Sequence, residues 1–297
     1  INPVKYYSHN YQTRKEKMEV ILCKKIRQNL ENAVEKRLLS DRPIGCLLSG
    51  GLDSSLITAL VAQHYPRGKL KTFSVGLEGS VDLAYAKKVA EHLGTDHHEL
   101  ILTEEQMLNA IEDTVYQIES WDTTTVRAST PMFLLSKYIK ENTDVTVVFS
   151  GEGSDEASGS YMYFHNAPGP KEFKEETERL ISDLRFFDVL RCDRSTAGAG
   201  LEVRVPFLDR LFLDYYMSID PKFKHPNYSD SKIEKYLLRK SFDGIGLLPN
   251  DVLWRVKEGM SDGVSSQTRG WFEIIQEHAG KLISDKEFES RAEKYSV

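Results

Sequence analysis

Between residues 14 and 39, the apolar positions Met18, Ile21, Ile26, Leu30, Val34 and Leu38 recur at intervals of three to five. That interval marks one face of a helix, so the stretch predicts an amphipathic helix leading into the first strand. The period then changes. Ile44, Cys46, Leu47 and Leu48 form the short apolar run of a strand buried on both faces, and Leu56, Ile57, Leu60 and Val61 return to helical spacing. Further along, the pattern predicts a strand at 70–75, a helix at 81–93, a strand at 99–102, a helix at 104–118, a helix at 131–139 and a strand at 145–149. Strands that alternate with helices pair in parallel, which predicts an α/β fold: a doubly wound parallel sheet with helices on both faces. The run Asn166-Ala167-Pro168-Gly169-Pro170 breaks the pattern, and the sequence beyond it reads as mainly helical. Two regions are therefore expected, 1–165 and 166–297, with the second packed on the first.

At 297 residues and 40% hydrophobic content, the chain can bury a core as one large domain or two small ones. A formal charge of -6 argues against a nucleic-acid partner. Cys23, Cys46 and Cys192 are odd in number and lack metal-ligand spacing, which suits reduced thiols. No apolar run approaches the roughly 18 residues of a membrane span and no secretory leader is visible, so a cytoplasmic protein without a membrane partner is expected. The chain starts at Ile1 and not at methionine, so a segment upstream is expected. Adjacent His97 and His98 point to opposite faces of a strand and cannot share a metal ion. The mixed charges of 171–179 read as a solvated helix face.

Ser49-Gly50-Gly51-Leu52-Asp53-Ser54-Ser55 joins the first apolar strand to a helix. Free amides and the positive end of the helix dipole favour an anion there, and glycines let a phosphate approach the backbone. No Lys-Ser or Lys-Thr follows the glycines, so this is not a Walker A loop, and the dinucleotide fingerprint is absent too. The turn resembles the PP-loop, which holds the pyrophosphate part of ATP in enzymes that usually cleave between the α and β phosphates. Ser150-Gly151-Glu152-Gly153-Ser154-Asp155-Glu156 follows the last strand and reaches the same sheet edge. Two acidic loops beside phosphates call for a hard cation, so Asp53 and Asp155 are candidate Mg²⁺ ligands. Lys257, in Trp254-Arg255-Val256-Lys257-Glu258-Gly259, is a candidate to offset charge on a reacting phosphate.

With these motifs together, the chain resembles the synthetase domain of the asparagine synthetase B family, especially its eukaryotic branch. The resemblance covers most of the length and includes Thr124-Thr125-Val126-Arg127-Ala128-Ser129 and Leu201-Glu202-Val203-Arg204-Val205-Pro206-Phe207-Leu208-Asp209. It implies that ATP and aspartate form β-aspartyl-AMP with release of pyrophosphate, and that ammonia then displaces AMP. Ser49, Gly50, Gly51, Asp53, Ser54 and Ser150 would cradle the phosphates. Backbone at Leu47, Val75 and Gly151 would hold adenine. Lys257 would stabilise the α-phosphate, Glu152 would position or deprotonate ammonia, and Thr124 and Arg127 would grip aspartate. Arg127 could instead serve a structural ion pair. Asp193, Arg194, Glu202, Arg204 and Asp209 would form a supporting charged network.

The full-length family begins with a glutaminase domain whose nucleophile is its first residue, a cysteine. Ile1 cannot take that role, so this chain is expected to lack the glutaminase and to use ammonia, with the glutaminase a partner in a full-length protein; the reading leaves room for a homodimer. The chain stops sooner after Trp271 than its relatives, which would thin the outer cover of the site, and Ala157-Ser158-Gly159 replaces bulkier residues. A β-lactam-forming cyclase and an inactive nucleotide-binding module are the competing readings. The run from Thr124 to Arg127 weighs against the first, and Asp53, Glu152, Asp155 and Lys257 weigh against the second.

Overall fold

The computed structural model describes residue 4 and residues 11–228, 233–256, 263–265 and 269–295. The first helix, α1 (Glu19–Glu35), is shorter than the predicted 14–39 and buries Leu22, Ile26 and Leu30, one per turn, along a single stripe. It is followed by β1 (Ile44–Leu47), α2 (Leu52–Ala62), β2 (Lys71–Leu77), α3 (Val81–Leu93) and β3 (Asp96–Leu102). Then come α4 (Glu104–Asn109), α5 (Ile111–Ile118), α6 (Thr123–Asn142), β4 (Val147–Phe149), α7 (Ser154–Ser158), α8 (Pro170–Asp183), α9 (Asp188–Ala197) and β5 (Glu202–Arg204). Helices α10 (Arg210–Met217), α11 (Tyr236–Phe242), α12 (Asn250–Leu253) and two more at Trp271–Leu282 and Asp285–Tyr295 complete the described elements.

The five strands form one parallel sheet in the order β3-β2-β1-β4-β5. From β1 the chain winds outward through β2 to β3, then returns to pair β4 on the other side of β1. The direction of winding therefore reverses between β1 and β4, and the loops leaving their carboxyl ends lie side by side at this switch point. Alternate residues of β4 feed opposite cores. Val147 and Phe149 join the cluster containing α1, α2, α10 and α11, while Val148 joins Phe73, Leu135, Ile139 and Trp271 on the other face. Helices thus cover both faces, as the sequence predicted.

Beyond shifts of a few residues at element ends, three features differ from the sequence reading. The predicted helix at 104–118 is two helices that meet at Ala110. The helix predicted from Pro131 starts at Thr123, with Asp122 capping it through the Thr125 amide at 2.7 Å. Proline favours a first turn, which is why the pattern suggested a start there. In the helix interior Pro131 has no N–H for the Arg127 carbonyl, and the Trp271 indole donates to that carbonyl instead, at 3.0 Å. The third difference is β5, which the sequence reading left out. Its three residues include two charges, too little apolar signal for a strand, yet Val148 pairs Val203 in register. The stretch beyond 166–170 therefore supplies an edge strand to the sheet.

Candidate functional site

The turn after β1 leaves the N-terminus of α2 open. Gly51 is the N-cap residue and has no side chain to satisfy the first amides. Gly50 has φ +73°, and a Cβ there would lie 2.5 Å from Tyr85 Cβ and from the Ala86 nitrogen, so only glycine fits. Ser54 closes the turn: its Oγ accepts from the Ser49 amide at 3.2 Å and lies 3.0 Å from Ser49 Oγ. The loop after β4 packs directly on it. A Cβ on Gly151 would fall 2.7 Å from the Ser54 nitrogen and 2.8 Å from the Asp53 carbonyl carbon. Both loops open on a cavity of about 190 Å³. Its lining has an apolar part, Leu47, Leu48, Phe73, Val75, Met132, Leu135 and Val264, and a polar part that includes Ser49, Gly51, Asp53, Ser54, Ser150, Gly151, Glu152 and Asp155.

A buried lysine lies between the two acidic loops. Lys235 Nζ is 2.5 Å from Asp53 Oδ2 and 2.5 Å from Asp155 Oδ1, with its side chain 2% exposed. Burial opposes the ammonium charge, but Asp155 and Asp53 together outweigh it and hold the Lys235 pKa above its ordinary value. The residue caps α11 in the left-handed region at φ +59°, a conformation unusual for a side-chain-bearing residue. Ser154 Oγ donates to Asp53 Oδ1 at 2.7 Å and Ser160 to Asp155, so both carboxylates are fixed. Two carboxylates beside a phosphate-binding turn fit the way Mg²⁺ is held, with phosphate and water as its other ligands. No group of three metal-ligating side chains occurs among the described residues. Lys235 was invisible to sequence reasoning, since a lysine between Glu234 and Tyr236 reads as a helix-surface charge. The only available signal was the need of two adjacent carboxylates for a cation.

Glu152 also lines the cavity. Burial pushes its pKa up to about 7 even though the Arg191 guanidinium, 3.8 Å away, pulls the other way. Arg191 also pairs with Asp188, whose Oδ2 accepts from the Tyr161 hydroxyl at 3.2 Å, and the same hydroxyl donates to buried Glu156. Arg191 lines the cavity and was missed because it lies inside the mixed pattern of α9. Arg239, also on the cavity wall, is 1% exposed and donates to the Glu234 carbonyl at 2.9 Å and the Leu253 carbonyl at 2.6 Å.

The remaining predicted residues among those described lie off the cavity wall. Lys257 is outside the described residues. Thr124 is exposed at the start of α6, and Arg127 is half-buried with its Nε lacking a hydrogen-bond partner. Asp193 is exposed, while Arg194 donates to the Ile118 carbonyl and lies 3.5 Å from Glu119. Arg204 pairs with Glu202 at 2.7 Å and donates to the Leu39 carbonyl at 2.8 Å. Asp209 accepts from the Leu211 amide at 2.9 Å, capping α10, and pairs with Arg37 at 2.7 Å. Arg204 and Asp209 thus tie β5 and α10 to the loop after α1, and Arg194 ties α9 to the end of α5. Gly50 contributes its carbonyl to Arg255 at 3.3 Å and is not itself on the wall.

The model of the asparagine synthase family matches residues 25–174 and 165–296. The glutamine-hydrolyzing asparagine synthetase of Gallus gallus is 50% identical over 277 residues, covering 91% of this chain and 48% of its own length. That of Homo sapiens is 48% identical over 268 residues, covering 89% of this chain and 47% of its own. The chain spans about half the length of the curated relatives it matches. A solved NMN synthetase from Francisella tularensis is a distant likeness, 14% identical with a TM-score of 0.39 over 92% of this chain and 91% of its own.

Proposed function

This chain belongs to the asparagine synthase family, and we propose on that premise that it is an ATP-dependent carbon–nitrogen ligase that makes asparagine from aspartate. The observation that carries the reading is the meeting of two strand-end loops at one cavity, which Asp53, Glu152 and Asp155 line beside the open N-terminus of α2. Adenine would enter the apolar part, against Leu47, Val75 and the backbone of Gly151. The phosphates would lie on the turn from Ser49 to Ser54. Asp53 and Asp155 would hold Mg²⁺, which when bound neutralises charge on the phosphate oxygens.

A β-carboxylate oxygen of aspartate attacks the α-phosphorus, the bond to the bridging oxygen breaks, and pyrophosphate leaves. Ammonia then attacks the acyl carbon and AMP leaves with the oxygen. The attacking nitrogen must lose a proton, and a buried carboxylate that titrates near 7 suits its acceptance, which supports Glu152 in this role. Lys257 is proposed to stabilise the charged α-phosphate, and Lys235 to add positive charge beside the phosphates. Thr124 and Arg127 are proposed to bind aspartate; the unpartnered Arg127 Nε leaves that guanidinium a donor for a carboxylate. Glu202, Arg204 and Asp209 would support the site by anchoring β5 and α10, and Asp193 and Arg194 by holding α9, which carries Arg191.

Free ammonia would serve this chain directly. The relatives are named glutamine-hydrolyzing, and a glutaminase domain in a longer form of the protein would supply ammonia there. A cytoplasmic setting agrees with three unpaired cysteines and with the lack, among the described residues, of a helix long and apolar enough to cross a membrane. The test is aspartate-dependent pyrophosphate release from Mg-ATP with ammonium as donor.

A further inference from the structure

Arg255 lines the cavity and touches the phosphate-binding turn, and no step of the proposed synthesis has used it. Its Nη1 donates to the Gly50 carbonyl at 3.3 Å and its Nη2 to Asp82 Oδ1 at 3.2 Å, while the guanidinium carbon sits 4.0 Å above the centre of the Tyr85 ring. The side chain is 9% exposed and that of Asp82 11%. Asp82 and Tyr85 belong to the first turns of α3, whose N-terminus is capped by Ser80 through the Leu83 amide at 3.3 Å. Gly50 is pressed against the same turns, where even one added carbon would fall 2.5 Å from Tyr85 Cβ. The guanidinium therefore joins the turn to a rigid helix end at three points.

We propose that Arg255 is a positioning residue that fixes the Gly50–Gly51 peptide so that its amide serves the pyrophosphate part of the nucleotide. A trans peptide is planar, so its C=O and N–H point in opposite directions. Holding the Gly50 carbonyl toward α3 turns the Gly51 N–H away from α3 and into the turn, where it donates to Ser49 Oγ at a long 3.4 Å. A flexible Gly-Gly peptide would otherwise flip at little cost, since glycine tolerates either sign of φ. Asp82 and Tyr85 hold the planar guanidinium by an ion pair and a ring face, a combination that lysine cannot reproduce. The inference rests on the proposed nucleotide site but not on the reaction carried out there.

The experiment titrates two probes into the whole chain by calorimetry, magnesium pyrophosphate and AMP. Arg255→Leu is expected to weaken pyrophosphate about tenfold and AMP less than about twofold, as loss of a charged hydrogen bond at the turn predicts. Asp82→Asn, which loosens the same guanidinium, is expected to weaken pyrophosphate about threefold in the same selective way. If Arg255→Leu does not fold, Arg255→Lys keeps the charge without the fork and should still weaken pyrophosphate about threefold. Unchanged pyrophosphate affinity in the folded variants, or equal losses for both probes, would overturn the proposal. A wild-type chain that binds both probes but makes no asparagine would count against the synthetase reading and leave this one standing.

Discussion

Lys235 and Asp53 meet at 2.5 Å although they are 182 positions apart, and the same ammonium reaches Asp155 on the neighbouring loop. The contact closes two acidic loops around one buried positive charge. Removing that charge leaves two carboxylates facing each other with little solvent to separate them. Lys235→Met should therefore destabilise the fold by about 3 kcal/mol at pH 7, the order expected when one partner of a buried ion pair is lost. Urea unfolding at pH 7 checks the value.

Glu152 contributes to stability and function with opposite signs. Its folded pKa, about 7, lies above the ordinary 4.5 because burial disfavours the charge. The folded state therefore holds the proton more tightly, and the stability it adds at low pH is lost as pH rises from 4.5 towards 7. Glu152→Gln should stabilise the protein at pH 8 by on the order of 3 kcal/mol and lower ammonia-dependent turnover by about 100-fold. Turnover of the unmodified chain should rise through about pH 7 as the carboxylate becomes available to accept a proton. Thermal unfolding and rate profiles across pH 5–9 check both; a variant no more stable at pH 8 would remove the burial argument.

The indole of Trp271 replaces a helix hydrogen bond that Pro131 cannot make. Trp271→Phe should leave the Arg127 carbonyl unpaired in the interior and cost about 2 kcal/mol. Pro131→Ala restores an N–H to that carbonyl. The double variant should recover part of the loss, and a double-mutant cycle in urea reads the coupling. Simple additivity would mean the two groups do not share the carbonyl.

His97 is half-buried on β3 between Thr72, 2.9 Å from Nδ1, and Ser74, 3.2 Å from Nε2. Burial pulls its pKa down to about 4, and neighbouring His98 adds to the effect. Because the fold prefers the neutral ring, stability should fall as pH drops from 6.5 towards 4, by on the order of 3 kcal/mol in total. His97→Gln should flatten that slope. An unchanged slope would assign the acid sensitivity to other groups.

The sequence made the two loops legible because glycine and serine punctuation after an apolar run has few other uses. Asp53, Glu152 and Asp155 could be placed at one sheet edge for the same reason: strand ends in a parallel sheet converge. Lys235, Arg191 and Arg255 could not, since each lies in a stretch of mixed charge where one long side chain looks like any other and only the folded distance selects it. The edge strand β5 escaped because a strand of three residues has too few positions to show alternation. Thr124 was legible as part of a motif, but its exposure at the start of α6 depends on a helix boundary that Pro131 disguised.

The most direct measurement is pyrophosphate release from Mg-ATP by this chain with ammonium present, with and without aspartate, followed by detection of asparagine. Release that requires aspartate and yields one asparagine per pyrophosphate is the predicted result. Binding of Mg-ATP by a folded chain without release, or release that ignores aspartate, would contradict the account.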